Sequence, residues 1–125
     1  MATIDPARLL ADLHTLRNFG RFGSGVHRPT LSAEDVEARR WLVARLEEAG
    51  LDARIDGIAS VHGFTRNPGK RLLMGSHLES QNEAGWLDGA LGVIYALEVA
   101  RALPGLPIDV AAFVDEEGHF GSFLG

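Results

Sequence analysis

The chain has no cysteine in its 125 residues. Disulfides and thiolate metal ligands are therefore excluded, and any transition-metal site must be built from histidine and carboxylates. Long hydrophobic runs are also missing, because the apolar stretches are broken by charges or glycines, so no membrane span is expected. The opening residues lack a basic flank followed by an apolar core. They give no secretion signal, and the expectation is a soluble, cytoplasmic protein. Positive charge is scarce in the second half. Eleven of the twelve basic residues lie at or before Arg71, and only Arg101 follows. From residue 72 onward that one arginine faces eight carboxylates, a net of −7, within an overall −5. Such a balance argues against nucleic acid as a partner.

Carboxylates crowded together repel one another unless protons or cations compensate. Glu79, Glu83, Asp88, Asp115, Glu116 and Glu117 all follow or flank apolar segments. Bound divalent metal and a merely solvated acidic face both satisfy that pattern.

The length fits one domain at most. Asp5-Pro6 starts a first helix, expected over 6–19, with Leu9, Leu13 and Leu16 at helical spacing and Gly20 as its stop. His14 reads as a surface residue of that helix, and residues 21–31 as a connector. Ser32 with Asp35 forms an approximate capping box for a helix over 33–49, whose stripe is Ala38, Leu42, Leu46 and Ala49. Trp41 is expected against the core. Strands are expected near 52–56, 58–65, 70–77 and 107–114, with His62 structural and a turn at Asn67-Pro68-Gly69. A further helix over 88–103 joins the last two strands as a crossover, which implies a parallel pair of buried strands. The fold class is therefore α/β, a three-layer αβα core with a mixed sheet. The chain breaks off at Phe123-Leu124-Gly125 just after a βα unit has delivered an acidic loop, so it reads as the front part of something longer.

Ligands in open α/β sheets collect outside the carboxyl ends of strands. His77 ends one expected strand, Asp88 opens the next helix, and Glu116 and Glu117 follow the last strand. These residues share no helix face, so they can converge only through the fold. A carboxylate such as Asp88 can bridge two cations, with His77 and Glu117 each completing one side. Two metals about 3.5–4 Å apart can hold a hydroxide and polarise a carbonyl. Glu116 could move the proton, and Glu79 could take the imidazole N–H and fix its tautomer.

Three segments, Gly75-Ser76-His77-Leu78-Glu79, Leu87-Asp88-Gly89-Ala90-Leu91-Gly92 and Phe113-Val114-Asp115-Glu116-Glu117-Gly118, together resemble the hydantoinase/carbamoylase family of amidases. That family includes N-carbamoyl-L-amino acid hydrolases, β-ureidopropionases and allantoate amidohydrolases. The resemblance implies His77 and Glu117 as ligands of two different metals, Asp88 as their bridge, and Glu116 as general base. Glu79 is the second expected catalytic residue, although the family usually has His-x-Asp there. Leu87 also stands where an aromatic residue is common. Two divalent ions are implied, Zn²⁺ or Mn²⁺, with Co²⁺ or Ni²⁺ possible. A cis peptide after Asp88 is expected from the wider group. The implied reaction is hydrolysis of a non-peptide C–N amide bond in a small carbamoyl or ureido compound. An aminoacylase- or dipeptidase-type metallohydrolase is the alternative, and an inert fragment is the non-catalytic one. Relatives are longer, take further histidine ligands from later segments, and carry an added domain with dimer contacts. The expectation is thus the N-terminal part of a catalytic domain, inactive alone, from a homodimeric enzyme.

Overall fold

The structure is a computed structural model that describes residues 2–121. The break at Phe123-Leu124-Gly125 lies outside the described residues. In chain order the elements are α1 (Pro6–Asn18), β1 (Arg21–Phe22), β2 (Gly25–Val26), α2 (Ala33–Glu48), β3 (Asp52–Ile55), β4 (Val61–Phe64), β5 (Leu72–His77), α3 (Ala90–Ala102) and β6 (Ile108–Phe113). Among the described residues no helix is long and apolar enough to cross a membrane.

Local chemistry explains the helix boundaries. The Asp5 side chain accepts the Arg8 amide at 3.0 Å, and Pro6 follows where a missing N–H costs nothing. Ser32 Oγ accepts the Asp35 amide at 3.2 Å, while the Asp35 carboxylate takes the Leu31 amide at 2.9 Å. That reciprocity is a capping box shifted by one residue. Asp56 closes the β3–β4 loop by accepting the Ile58 and Ser60 amides at 3.0 and 2.9 Å, so residues 58–60 are turn rather than strand.

The four-stranded sheet has the order β3-β4-β6-β5. β3–β4 and β4–β6 are antiparallel and β5–β6 is parallel, which makes the sheet mixed as expected. Val61, Ile108, Val110 and Ala112 share the core with Leu13 and Leu16 of α1, Leu42 and Leu46 of α2, and Val93, Ile94 and Leu97 of α3. The strand residues recur at every second position, so α2 and α3 pack against one face of the sheet, and α1 packs on α3. Trp41 joins this core from its margin and lies 6.1 Å from Phe19. The close β5–β6 approach requires Gly75, where a Cβ would fall 1.8 Å from Ala111 O.

Two expectations need correction. β5 is not a buried strand. It is the sheet's edge among the described residues, and Leu72 and Leu73 are 57% and 56% exposed. β6, which has the same apolar character, sits between β4 and β5 and is buried almost throughout. Residues 21–31 are more than a connector. They contain the β1–β2 hairpin, and Val26 exchanges backbone hydrogen bonds of 2.9 Å with Ala84. His14 is exposed, with its ring 5.4 Å from Trp86. His62 is held by Asp56 at 2.8 Å.

Candidate metal centre

β5 and β6 run parallel, so their carboxyl ends lie side by side, and the start of α3 returns to the same edge. His77 is paired with Phe113 across that register. The result is a cluster of His77, Asp88 and Glu117, whose potential ligand atoms all lie within 4.8 Å of one another. His77 is buried, Asp88 is 78% exposed at its side chain, and Glu117 is intermediate.

The imidazole is fixed from behind. His77 Nδ1 lies 3.0 Å from the main-chain oxygen of Glu79. A carbonyl only accepts, so Nδ1 carries the proton and the Nε2 lone pair faces the cleft. Nε2 lies 3.8 Å from Asp88 Oδ2 and 3.3 Å from Glu116 Oε2. Gly89 leaves the room for this ring, since a Cβ there would sit 2.4 Å from His77 Nδ1. Every described peptide bond is trans, including that after Asp88, so the expected cis peptide is absent. The turn is made instead by Gly89 at φ 69°, a conformation open to glycine. Asp88 then lies just before the N-terminus of α3, where negative charge is favoured.

Glu79 was expected to hold the ring with its carboxylate. Its Oε1 is 3.8 Å from Nδ1, beyond hydrogen-bond reach, and its backbone oxygen does that work. The carboxylate reaches across to the acidic turn, where Oε1 accepts the Glu116 amide at 2.5 Å and lies 3.4 Å from the Glu117 amide. Its other oxygen meets Arg39 at 3.1 Å.

The acidic turn divides its labour. Asp115 points inward at φ 56° and accepts from the Thr30 hydroxyl and the amides of His119, Phe120 and Gly121, all within 2.7–2.9 Å. Burial pushes this carboxyl's pKa up, but those hydrogen bonds outweigh it and hold it below the usual carboxylate range. Glu116 points outward and is 60% exposed. Glu117 is steadied by Gln81, whose Nε2 donates to Oε2 at 2.8 Å. His119 is absent from the cluster and lies 3.1 Å from Thr30 Oγ1.

Sequence reasoning missed Arg39, Arg28 and Gln81. Arg28 donates to Leu78 O, Leu16 O and Phe19 O, and its amide bonds Ser80 Oγ, so it pins the chain just after His77. For Arg39 a signal existed: Asp35 and Arg39 stand four apart on one helix, the spacing of an ion pair. Nothing in the sequence marks Arg28 or Gln81.

No family model matches the sequence. An N-carbamoyl-L-amino-acid amidohydrolase from Paenarthrobacter aurescens is 32% identical over 120 residues, covering 89% of this chain and 29% of that protein. An allantoate deiminase from Arabidopsis thaliana is 33% identical over an alignment of 129 residues, 93% of this chain and 25% of its own. The crystal structure of an amidase of the hydantoinase/carbamoylase family from Burkholderia phymatum superposes with a TM-score of 0.96 at 55% identity, over 98% of this chain and 32% of its own. The chain thus spans about a third or less of the length of these relatives. Sequence and fold together show the likeness that the three motifs carry, to the hydantoinase/carbamoylase family of amidases.

Proposed function

We propose that this chain is part of the catalytic domain of a metal-dependent amidohydrolase that cleaves a non-peptide C–N bond in an N-carbamoyl amino acid or ureido compound. The observation that carries the reading is the convergence of His77, Asp88 and Glu117 ligand atoms within 4.8 Å. One imidazole and two carboxylates suit Zn²⁺ or Mn²⁺, and also Co²⁺ or Ni²⁺. His77 Nε2 would hold one ion, Glu117 a second, and Asp88, with its exposed carboxylate, would be shared between them. Bound divalent metal supplies acidification of water and polarisation of the carbonyl.

The remaining steps belong to this chain's own groups. Glu116 stands beside His77 Nε2 with an exposed carboxylate, so it can take a proton from a water attacking the carbamoyl carbon. The same carboxyl then delivers that proton to the nitrogen as the C–N bond breaks. Names of the relatives, N-carbamoyl-L-amino-acid amidohydrolase and allantoate deiminase, support this substrate class.

Three donors shared between two ions fall short of the three protein ligands usual for one catalytic zinc. The 125-residue chain alone is therefore proposed to be inert, and the active form to be a longer, homodimeric, cytoplasmic protein. The test is calorimetric titration of the chain with Zn²⁺ and Mn²⁺, followed by incubation with N-carbamoyl amino acids. Measurable binding that is lost in Asp88→Asn is expected, without turnover. Absence of binding overturns the metal centre, and turnover abolished by Glu116→Gln overturns the inertness.

A further inference from the structure

Behind the metal-centre residues lies a group of four buried charges that the proposed chemistry does not use. Asp35 and Glu79 are 0% exposed, and Arg28 and Arg39 are 1% exposed. Two carboxylates and two guanidinium groups leave the cluster neutral. Burial lowers the Arg28 pKa to about 10, against the opposing pull of Asp35 and Glu79. Ion networks of this kind are weak sources of stability, because desolvation offsets the attraction and apolar residues of like shape often serve as well. Their value has to be sought in what they fix in place.

Arg39 divides its planar fork three ways. Nε donates to Asp35 Oδ2 at 2.8 Å, Nη1 to Ala59 O at 2.9 Å, and Nη2 to Glu79 Oε2 at 3.1 Å. With one oxygen thus engaged, Glu79 presents the other to the Glu116 amide at 2.5 Å. The main-chain oxygen of Glu79 meanwhile holds His77 Nδ1 at 3.0 Å. One residue therefore touches both the imidazole side and the acidic-turn side of the cluster, and Arg39 holds that residue. Arg39 itself reaches neither His77, Asp88 nor Glu117.

We propose that Arg39, oriented by Asp35, is a positioning residue of the metal centre: by pinning the Glu79 carboxylate it sets the separation between His77 and the Glu116–Glu117 turn. The metal side of this inference rests on the reading of the cluster as a metal centre. A planar guanidinium that reaches all three acceptors at once is required rather than a positive charge alone, since lysine offers no fork. Loss of outer partners of this kind typically weakens metal binding about 10- to 100-fold.

Two readouts on the 125-residue chain test it. The first is amide hydrogen exchange of Glu116 by NMR, referenced to Val110 in β6. The second is calorimetric titration with Zn²⁺ and Mn²⁺. In Arg39→Met, Glu116 exchange is expected to rise relative to Val110, and metal affinity to fall about 10- to 100-fold, with Arg39→Lys recovering only part. If Arg39→Met does not fold because its carboxylate partners lose their cation, Asp35→Asn/Arg39→Met removes one charge of each sign and keeps Glu79. The same losses are expected in that folded variant. Metal affinity within about twofold of wild type in either folded variant overturns the proposal, since that lies well under the usual outer-partner effect. If the wild-type chain binds neither metal, the metal-centre reading falls, and Glu116 exchange alone decides whether Arg39 positions the turn.

Discussion

His77 occupies the space that any side chain at residue 89 would need: a Cβ on Gly89 would stand 2.4 Å from the ring Cε1 and Nδ1 and 2.6 Å from Nε2. The imidazole and the bare backbone at the start of α3 are thus fitted to each other. Gly89→Ala meets this contact and also an unfavourable φ of 69°. With ψ at −57° this is a γ-turn geometry, closed by the Ala90 amide on Asp88 O at 2.7 Å, and its conformational cost for a residue with a Cβ is about 1–3 kcal/mol. A larger loss by urea unfolding, together with weakened Zn²⁺ binding, is the expected result. Unchanged metal affinity would show that the ring can move aside without consequence.

Glu98 gives the chain an acid-sensitive joint between α3 and the start of α1. It accepts from Arg8 at 2.7 and 2.9 Å and from the Asp5 amide at 2.7 Å. Burial pushes its pKa up, but these partners outweigh it and leave the carboxyl below its ordinary value. A depressed folded pKa means that the stabilisation is complete above the unfolded value of about 4.3 and is lost as pH falls through the folded one. Thermal melts should therefore decline below about pH 4.3 more steeply in wild type than in Glu98→Gln. Parallel pH profiles would remove Glu98 from the account.

Asp115→Asn tests the inward half of the acidic turn. Oδ2 accepts two backbone N–H groups, from Phe120 and Gly121, at 2.8 and 2.9 Å, and Oδ1 accepts from Thr30 and His119. An amide nitrogen in place of either oxygen would set donor against donor. The expected cost is about 1–3 kcal/mol in denaturant unfolding. A neutral result would mean that the turn is held by Glu79 alone.

The outer side of β5 has no partner strand among the described residues, and Leu72 and Leu73 flank it in the open. Unpaired strand edges with apolar side chains favour pairing between molecules. Sedimentation of the 125-residue chain should show concentration-dependent association, reduced by Leu73→Lys. A monomer at all concentrations in both would count against the edge.

Much of the fold was legible because caps and periods are local. Asp5-Pro6, Ser32 and the apolar stripes locate α1 and α2 to within a residue of their observed ends. Position within the sheet was not legible: β5 and β6 are both apolar runs, and only pairing order makes one an edge and the other an interior strand. The β1–β2 hairpin has strands of two residues each, too short for any alternation to appear. At the site, places at strand ends and a helix start, with the family resemblance, could name His77, Asp88 and Glu117 as candidates, but their spacing along the chain could not bring them together. Asp115 looked like one more carboxylate of an acidic run, and only its left-handed backbone turns it away from its neighbours.

The span from Arg39 to the Glu116 amide through the Glu79 carboxylate has a consequence for how this chain can change over time. Its two ends, 3.1 and 2.5 Å from the two oxygens, leave no slack. Glu79→Asp removes one methylene, and a single carboxylate so shortened cannot reach both ends unless α2 moves inward or the acidic turn moves back. Residues 39 and 79 therefore form a linked pair of lengths. Substitutions at one are tolerable chiefly in company with substitutions at the other, so the two positions should drift together or stay still.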